Sequence, residues 1–235
     1  MEPDPHMDEV HLWHIRLDGL SPAAASRYEA ALGPDERARR TTYPHARGRA
    51  RFTAAHGALR ILLGHFLGIP AVEVRTRRGP MGKPALPSGS PPVHFSLSHA
   101  GGRAVAAVSL GREVGVDLDH PRAGFPLEAF ARRYFPPAER DLVLSAPCDD
   151  RQHVFLRLWT RKEALVKAAG ARMALGVGQQ VGASGDSAVV RAAHPRMRGT
   201  WHIRDVRPPA GVAAVALAHD RPYRVVTHGG TTGMP

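Results

Sequence analysis

The chain has 235 residues, of which 43% are hydrophobic, so it is long and apolar enough to bury a core in one large or two small domains. Its 32 Lys and Arg against 21 Asp and Glu give a net charge of +11, which favours anionic partners: nucleic acid, phosphorylated cofactors or acidic proteins. A single cysteine, Cys148, excludes a disulfide framework, and no apolar stretch is long enough to predict a membrane span. Because the first residues are acidic where a secretory signal is basic, we expect a cytoplasmic protein.

Strand and helix signals follow one another in the first half of the chain. Alternating residues predict a strand over 10–17, and Ser21 followed by proline predicts a helix over 22–32. A short helix from Asp35 precedes a longer one, from about Gly48 to Gly68, in which apolar residues recur at spacings of three and four. Three strands separated by short turns should then form an antiparallel meander: 93–99, 104–110 and 113–119.

The second half repeats this mixture in a different order. Two short helices are predicted over 126–134 and 137–145, followed by a long one that Asp149 or Asp150 caps and Gly170 ends. Three further strands are predicted: 188–191, 200–207 and 212–218. The predicted fold is therefore α+β, with two similar lobes, each an antiparallel sheet packed on helices. We place the boundary near Gly111, giving lobes 1–111 and 112–235, and we expect frayed ends at 1–8 and 228–235.

Two carboxylates share one face of the predicted strand over 113–119. Alternation along a strand places Asp117 and Asp119 on the same side as Gly115, roughly 7 Å apart along the backbone. Carboxylates held this close repel unless a cation lies between them, and oxygen ligands without His or Cys favour a hard ion such as magnesium. The alternative is a solvent-facing sheet surface that happens to carry two acids.

An aromatic and charged stripe runs along the predicted long helix. Phe155, Trp159, Glu163 and Lys167 recur every four residues, so Glu163 and Lys167 can meet as an ion pair. This arrangement is either a surface pair resting on the core, or a third metal ligand beside a phosphate-binding cation. Arg47, Arg49 and Arg51 at the start of the first long helix likewise form either a solvated charge run or an anion site.

Five segments together resemble one family, the 4′-phosphopantetheinyl transferases, and specifically the larger two-lobed type that activates peptide and polyketide synthetases. The resemblance extends from about Pro34 to Ala218. The segments are Gly-Lys-Pro at 82–84, Phe-Ser-Leu-Ser-His at 95–99, Gly-Val-Asp-Leu-Asp at 115–119, Tyr134-Phe135 with Glu139, and Trp-Thr-Arg-Lys-Glu-Ala-Leu-Val-Lys at 159–167. Each segment alone is weak, but the order and spacing of the set are specific.

This resemblance implies a reaction and its partners. Such enzymes look like a monomeric pseudo-dimer of two α+β lobes with coenzyme A in the cleft between them. They transfer the phosphopantetheine arm to a serine of an acyl or peptidyl carrier protein and release adenosine 3′,5′-bisphosphate. The first lobe would contact the 3′-phosphate and adenine, and the second would hold the metal and the diphosphate. Neither nucleic acid nor a membrane is an expected partner.

The resemblance also assigns the chemistry to individual residues. Asp117, Asp119 and Glu163 would hold magnesium, with manganese as the alternative ion, and Lys167 would neutralise a diphosphate oxygen. Glu163 is the first candidate for the base that takes the serine proton, and Glu139 is the second. The nucleotide contacts would come from Ser98 and His99, reinforced by Arg51 and Arg47 at the 3′-phosphate, and from Lys83 and Pro84 beside the adenine.

The chain departs from the family pattern at two positions. The second strand acid is commonly glutamate, whereas Asp119 is one methylene shorter, so we expect it to reach the ion through a water molecule. Phe52 stands where some relatives place a phosphate-binding threonine, with Thr53 next to it.

Two other classes of function compete with the transferase. A basic nucleic-acid-binding module would share the charge, but the chain has no zinc-finger spacing and no aromatic residues interleaved in its basic runs. A metal-dependent phosphodiesterase or nuclease would share the carboxylates, but it gives no role to Lys83-Pro84 or Ser98-His99.

Overall fold

The computed structural model describes residues 8–182, 185–219 and 221–229. The helices in these ranges are α1 Pro22–Ala31, α2 Pro34–Thr41, α3 Ala46–Leu67, α4 Leu127–Tyr134, α5 Pro137–Ser145, α6 Cys148–Ala169 and α7 Met173–Gly176. The strands are β1 Glu9–Arg16, β2 Arg77–Arg78, β3 Pro84–Ala85, β4 Val93–Ala100, β5 Arg103–Leu110, β6 Val114–Asp119, β7 Ser187–Ala192, β8 Gly199–Val206, β9 Val212–Ala218 and β10 Arg224–His228. The α+β class is confirmed.

Local sequence signals account for the ends of the principal helices. The Ser21 hydroxyl accepts a hydrogen bond from the backbone N–H of Ala24 at the start of α1. The long helices α3 and α6 end at Gly68 and Gly170, whose φ angles of +65° and +60° lie in the left-handed region that favours glycine. The predicted cap of α6 is wrong: the helix begins after Pro147, and the two aspartates lie in its first turn without capping it.

Two four-stranded sheets form the centre of the molecule. The first sheet has the order β10-β1-β5-β4, with β10 parallel to β1 and the other pairs antiparallel. The second sheet has the order β6-β9-β8-β7 and is antiparallel throughout. The short strands β2 and β3 form a separate ribbon at the Gly-Lys-Pro segment.

The predicted meander is wrong at its third strand. Strands β4 and β5 pair as expected, but β6 leaves them and pairs with β9 in the second sheet. The turn between β5 and β6 explains this exchange, because Arg112 is buried there and its guanidinium donates to the carbonyls of Ala218 and Arg221. Arg112 therefore fixes the start of β6 beside the end of β9.

The sheets pack face to face, with a helical layer on each outer side. Their shared core is formed by apolar side chains from both sheets, among them Leu12, Val105, Val116, Val215 and Leu217. Helices α1 and α3 cover the outer face of the first sheet. Helix α6 covers the second, together with shorter helices. This is the layered arrangement that two sheet-and-helix lobes require.

The end of the described chain returns to the first sheet. Strand β10 was not predicted, and it pairs with β1 in the first sheet. The boundary at 111 therefore assigns every strand of the two four-stranded sheets to its own lobe except β10. The expectation of frayed ends is wrong for Asp8, which pairs with Arg112, and for His228 in β10; residues 1–7 and 230–235 lie outside the described ranges. In the part of the chain that the structure describes, no helix is long and apolar enough to cross a membrane.

Candidate active site

A cleft of about 660 Å³ lies between the two lobes. Helices α2 and α3, the ribbon loop and β4 supply one wall, and the C-terminal end of α6 supplies the other. Cationic and imidazole side chains line it, namely Arg39, His56, Arg60, Arg77, Arg78, Lys83, His99 and Lys167. Such a lining favours an anionic ligand.

A glycine brings the strand carboxylates against α6. A Cβ atom on Gly115 would lie 2.1 Å from the carbonyl oxygen of Ala164 and 2.3 Å from the backbone nitrogen of Ala168, so only glycine lets β6 approach the helix this closely. Val114, Val116 and Leu118 point into the core between the sheets, as the alternation predicted. Asp117 and Asp119 therefore share the side of Gly115, toward α6.

Asp117 is held by a small network at the edge of the cleft. The ammonium of Lys167 donates to Asp117 Oδ1 at 2.6 Å and to Ser98 Oγ at 3.0 Å. The Ser98 hydroxyl also donates to Asp117 Oδ1, at 2.8 Å. The predicted pairing of Lys167 with Glu163 is thus replaced by an ion pair with Asp117, and Ser98 belongs to the carboxylate cluster.

Glu163 lies near these two acids. Loss of hydration and the charges of Asp117 and Asp119 raise the pKa of the half-buried Glu163 carboxyl, although Lys167 opposes them. Asp119 accepts a hydrogen bond from the backbone N–H of His120 at 2.8 Å and pairs with Arg122 at 3.1 Å. The site therefore gathers three carboxylates whose mutual repulsion a further cation would relieve.

The donor set fits a hard divalent cation in chemistry, since every predicted ligand atom is a carboxylate oxygen. The side chains do not converge on one point, however. Among the described residues, no group of three or more His, Cys, Asp or Glu side chains lies close enough to hold a metal ion. Lys167 and Arg122 instead neutralise the two aspartates.

A second region, rich in arginine and histidine, occupies the other end of the cleft, where Asp35 and Glu36 also line it. Loss of hydration and the charges of Lys167, Arg39 and Arg51 lower the pKa of His99. Burial and the charges of Arg39, His99, Arg78 and Arg60 lower the pKa of His56 to about 4, and its ring contacts that of Phe52 in a tilted arrangement with centroids 4.1 Å apart. Loss of hydration, and then the surrounding positive charge, therefore disfavours the protonated form of both imidazoles, and a phosphate group would offset that positive charge.

Three residues that were predicted to act at the site are paired with other residues of the chain. Arg47 and Arg51 both pair with Asp18, at 2.8 and 2.5 Å, and their hydrogen bonds hold the pKa of Asp18 well below its usual range. Glu139, the second candidate base, does not line the cleft. Its side chain is 0% exposed and pairs with Lys162, because the interior of the second lobe encloses it.

Several residues that shape the site could not be predicted from the sequence. His56 was overlooked because it lies within the apolar periodicity of α3, and Asp18 because a single acid in a loop has no pattern. Arg39 could have been found as a cation next to the start of the long helix. Phe52 lines the cleft beneath His56, and the Thr53 hydroxyl donates to the carbonyl of Arg49.

Comparisons with known proteins identify the family. Residues 113–202 match the model of the 4′-phosphopantetheinyl transferase superfamily. The chain is 39% identical over 165 residues to the 4′-phosphopantetheinyl transferase HetI of Nostoc, covering 69% of each protein. It is 33% identical to a putative 4′-phosphopantetheinyl transferase of Synechocystis, over 66% of this chain and 63% of the relative. The chain belongs to the 4′-phosphopantetheinyl transferase family.

A more distant relative is consistent with the two-lobed type. The 4′-phosphopantetheinyl transferase Sfp of Bacillus subtilis is 24% identical, over 71% of this chain and 73% of its own length. The segment that matches the superfamily model contains both strand aspartates, Glu163 and Lys167. The carboxylate cluster of this transferase therefore lies in the matched segment, whereas Arg39, His56 and His99 lie outside it.

Proposed function

We propose that this transferase moves the 4′-phosphopantetheine group from coenzyme A to a serine hydroxyl of an acyl or peptidyl carrier protein, with magnesium, and releases adenosine 3′,5′-bisphosphate. One observation carries the proposal: a cleft rich in arginine and imidazole side chains ends at Lys167, whose ammonium pairs with Asp117 in the adjoining cluster of three carboxylates. The first suits the phosphates of a nucleotide, and the second suits a diphosphate with its cation. Neither the nuclease nor the nucleic-acid module needs both.

We assign the nucleotide end to the cationic region. His99 and Arg39 would contact the 3′-phosphate, with His56 beside them, since all three line the cleft and the charge of Arg39 acts on both imidazoles. Arg51 would contribute its charge, which acts on His99 even though Arg51 is paired with Asp18. The stem of Lys83 and the ring of Pro84 would border the adenine, as both line the cleft.

The carboxylate end would receive the diphosphate. Asp117, Asp119 and Glu163 are the residues that would hold magnesium, after their side chains move from Lys167 and Arg122. When bound, the ion supplies positive charge that stabilises the non-bridging oxygens. Lys167, released from Asp117, can donate to a diphosphate oxygen while Ser98 keeps it near the cleft.

The serine proton needs an acceptor, and Glu163 is our assignment. A carboxyl whose pKa is raised by burial and by neighbouring acids is a better base than an exposed one, because its proton affinity is closer to what the reaction requires. Attack of the hydroxyl on the β-phosphorus forms the new phosphodiester as the bond to the leaving nucleotide phosphate breaks. Charge then develops on oxygens that face Lys167.

The carrier protein would approach beside the carboxylates. A groove of about 680 Å³ next to Asp119 is lined by Arg122, Arg132 and Arg151, with Phe125 exposed at its edge. Arginines around an aromatic side chain suit an acidic protein partner. We further propose a monomer, because each sheet already buries its apolar face against the other.

Intact-mass measurement tests the proposal. An apo carrier protein is incubated with the transferase, coenzyme A and magnesium, and its mass should increase by one phosphopantetheine. Parallel reactions contain a chelator, or a carrier whose acceptor serine is replaced by alanine, and neither should gain mass. An unchanged mass with several carrier proteins, acyl and peptidyl, would contradict the proposed substrates.

A further inference from the structure

One lysine crosses from the first lobe to the second at the mouth of the cleft. Lys83 lies in the loop between β2 and β3, and its side chain is 16% exposed. Its ammonium pairs with the Glu113 carboxylate and donates to the carbonyl oxygens of Ala168, at 2.8 Å, and Val114, at 3.3 Å. An ammonium has three protons, so these three acceptors use its hydrogen-bonding capacity.

The acceptors belong to the elements that build the opposite wall. Glu113 immediately precedes β6, where the chain passes from the first sheet to the second. Ala168 lies in the last turn of α6, whose carbonyls have no partner within the helix and attract a cation. The same turn carries Lys167. The contact therefore ties a loop of one lobe to the turn that positions a lysine of the other.

The lysine stem also packs on the end of α6. A Cβ atom on Gly170 would lie 3.4 Å from Lys83 Cδ, so the stem rests against the glycine that ends the helix. The ribbon loop is closed on itself by hydrogen bonds from the Gly79 amide to the Lys83 carbonyl, at 2.8 Å, and from the Gly82 amide to the Gly79 carbonyl, at 2.9 Å. The tie thus holds a compact loop against the helix.

The charges at this junction depend on one another. Burial opposes ionisation of Glu113, but hydrogen bonds from His94 and Lys83 outweigh it and lower the pKa of Glu113 to about 2. Burial lowers the pKa of Lys83 although Glu113 raises it. Removal of the Glu113 charge leaves the largely buried Lys83 ammonium without its counter-ion, so the contact depends on both residues.

We propose that Lys83 is a positioning residue: through Glu113 and Ala168 its ammonium fixes the ribbon loop on the end of α6 and sets the width of the cleft. It does not bind a phosphate of the ligand. The effect on coenzyme A rests on the function proposed above, whereas the tie itself concerns the ligand-free protein. Direct ligand contact and positioning predict opposite results for Glu113.

A double-mutant cycle on Lys83→Met and Glu113→Gln separates the two roles. Each single variant should weaken coenzyme A binding roughly tenfold, and the double variant should be no weaker than either, since contacting residues with one shared function are not additive. The KM for coenzyme A should rise with kcat nearly unchanged, because the width of the cleft affects ground state and transition state alike. The matched control is Glu29→Gln, which breaks a surface pair with Arg40 inside the first lobe and should leave KM unchanged.

If Lys83 instead bound a phosphate directly, Glu113→Gln would free the lysine for that contact. Coenzyme A binding would then be unchanged or tighter. That result would overturn the proposal. Glu113 is half exposed, so its variant should fold even if the Lys83 variant does not.

Hydrogen exchange of the ligand-free protein provides the independent measurement. The amides of Gly79 and Gly82 should exchange at least several-fold faster in both single variants, and at the wild-type rate in Glu29→Gln. Unchanged exchange in Glu113→Gln would overturn the tie even if coenzyme A binds. Faster exchange in a protein that does not bind coenzyme A would instead support the tie and contradict the proposed function.

Discussion

Helix α6 carries two lysines five residues apart, and each pairs with an acid in a different setting. Lys162 and Glu139 are both 0% exposed and lie 2.5 Å apart in the interior of the second lobe. Lys167 and Asp117 lie 2.6 Å apart at the cleft, where the lysine side chain is 30% exposed. The two pairs have the same chemistry on one helix but differ in their surroundings.

The interior pair has a partner for every charge. Lys162 also donates to the Gln179 carbonyl at 2.6 Å and lies 4.9 Å from the centroid of the Phe135 ring, while Glu139 accepts from the Val181 amide at 2.5 Å. At the cleft, by contrast, Lys167 pairs with Asp117, while the charges of Asp117 and Asp119 act on Glu163 and disfavour its ionisation. An ion pair whose hydrogen bonds are all made within the protein stabilises the fold. A cluster with more acids than bases can still bind a cation.

The largest effect should come from removing the interior lysine. Lys162→Ala leaves the carboxylate of Glu139 buried without its counter-ion, which should cost about 3–5 kcal/mol of the free energy of unfolding. Chemical denaturation of the ligand-free variant measures this loss. If the loss were no larger than that of a surface pair, below about 1 kcal/mol, the distinction between the two pairs would be wrong.

Removal of the cleft lysine should instead reduce turnover. Lys167→Met should lower kcat by roughly 10²–10³-fold, the usual range when one group that stabilises developing charge is lost. Its loss of stability should be smaller than that of Lys162→Ala, because the lysine is partly exposed and Ser98 still donates to the Asp117 carboxylate. Carrier-protein modification under single-turnover conditions gives the rate, and a variant as unstable as Lys162→Ala would contradict the comparison.

Ligand binding should stabilise the cleft and distinguish its two ends. Coenzyme A with magnesium at 100 times its dissociation constant should add about 2.7 kcal/mol to the stability of the wild type. Dephospho-coenzyme A should add less, because the cationic region at His99 and Arg39 loses its anion. Thermal unfolding with each ligand tests this, and equal stabilisation by the two would remove the 3′-phosphate assignment.

The smallest effect should appear as a pH dependence of the ligand-free protein. The pKa of Glu163 is raised on folding, so its ionisation destabilises the folded state as the pH rises above the unfolded value of about 4.3. Glu163→Gln removes this loss and should be slightly more stable than the wild type at pH 7, although it transfers no phosphopantetheine. Unfolding of both proteins between pH 4 and pH 7 shows whether their difference grows with pH, and a constant difference would exclude repulsion as its cause.

Features encoded by neighbouring residues could be predicted from the sequence. The ends of α3 and α6 at glycine, the strand over Val93–Ala100 and the side shared by Asp117 and Asp119 all follow from local pattern. The partners of β6 and β10 could not be predicted, since they depend on packing between segments far apart in the chain. The prediction of a three-stranded meander was wrong for this reason, because turn residues do not specify which sheet the next strand joins.

The candidate site divides in the same way. The motif residues Asp117, Glu163 and Lys167 are brought together, but the ion pairs that they form depend on the three-dimensional arrangement. Glu139 belongs to the same set of segments, but it forms a buried ion pair with Lys162. A sequence motif does not distinguish a structural acid from a catalytic one. Lys83 lies in a motif that predicts a ligand contact, but its ammonium donates to three acceptors of the protein itself.

The parallel pairing of β10 with β1 affects how the chain can fold as it is synthesised. Glu9 in β1 and Arg224 in β10 form an ion pair across 215 positions of sequence. At the usual rates of translation, the edge of the first sheet stays uncovered for roughly 10 to 40 s after β1 has been made. The first lobe therefore cannot complete its sheet as an independent unit, and its last strand forms only after the second lobe has been synthesised.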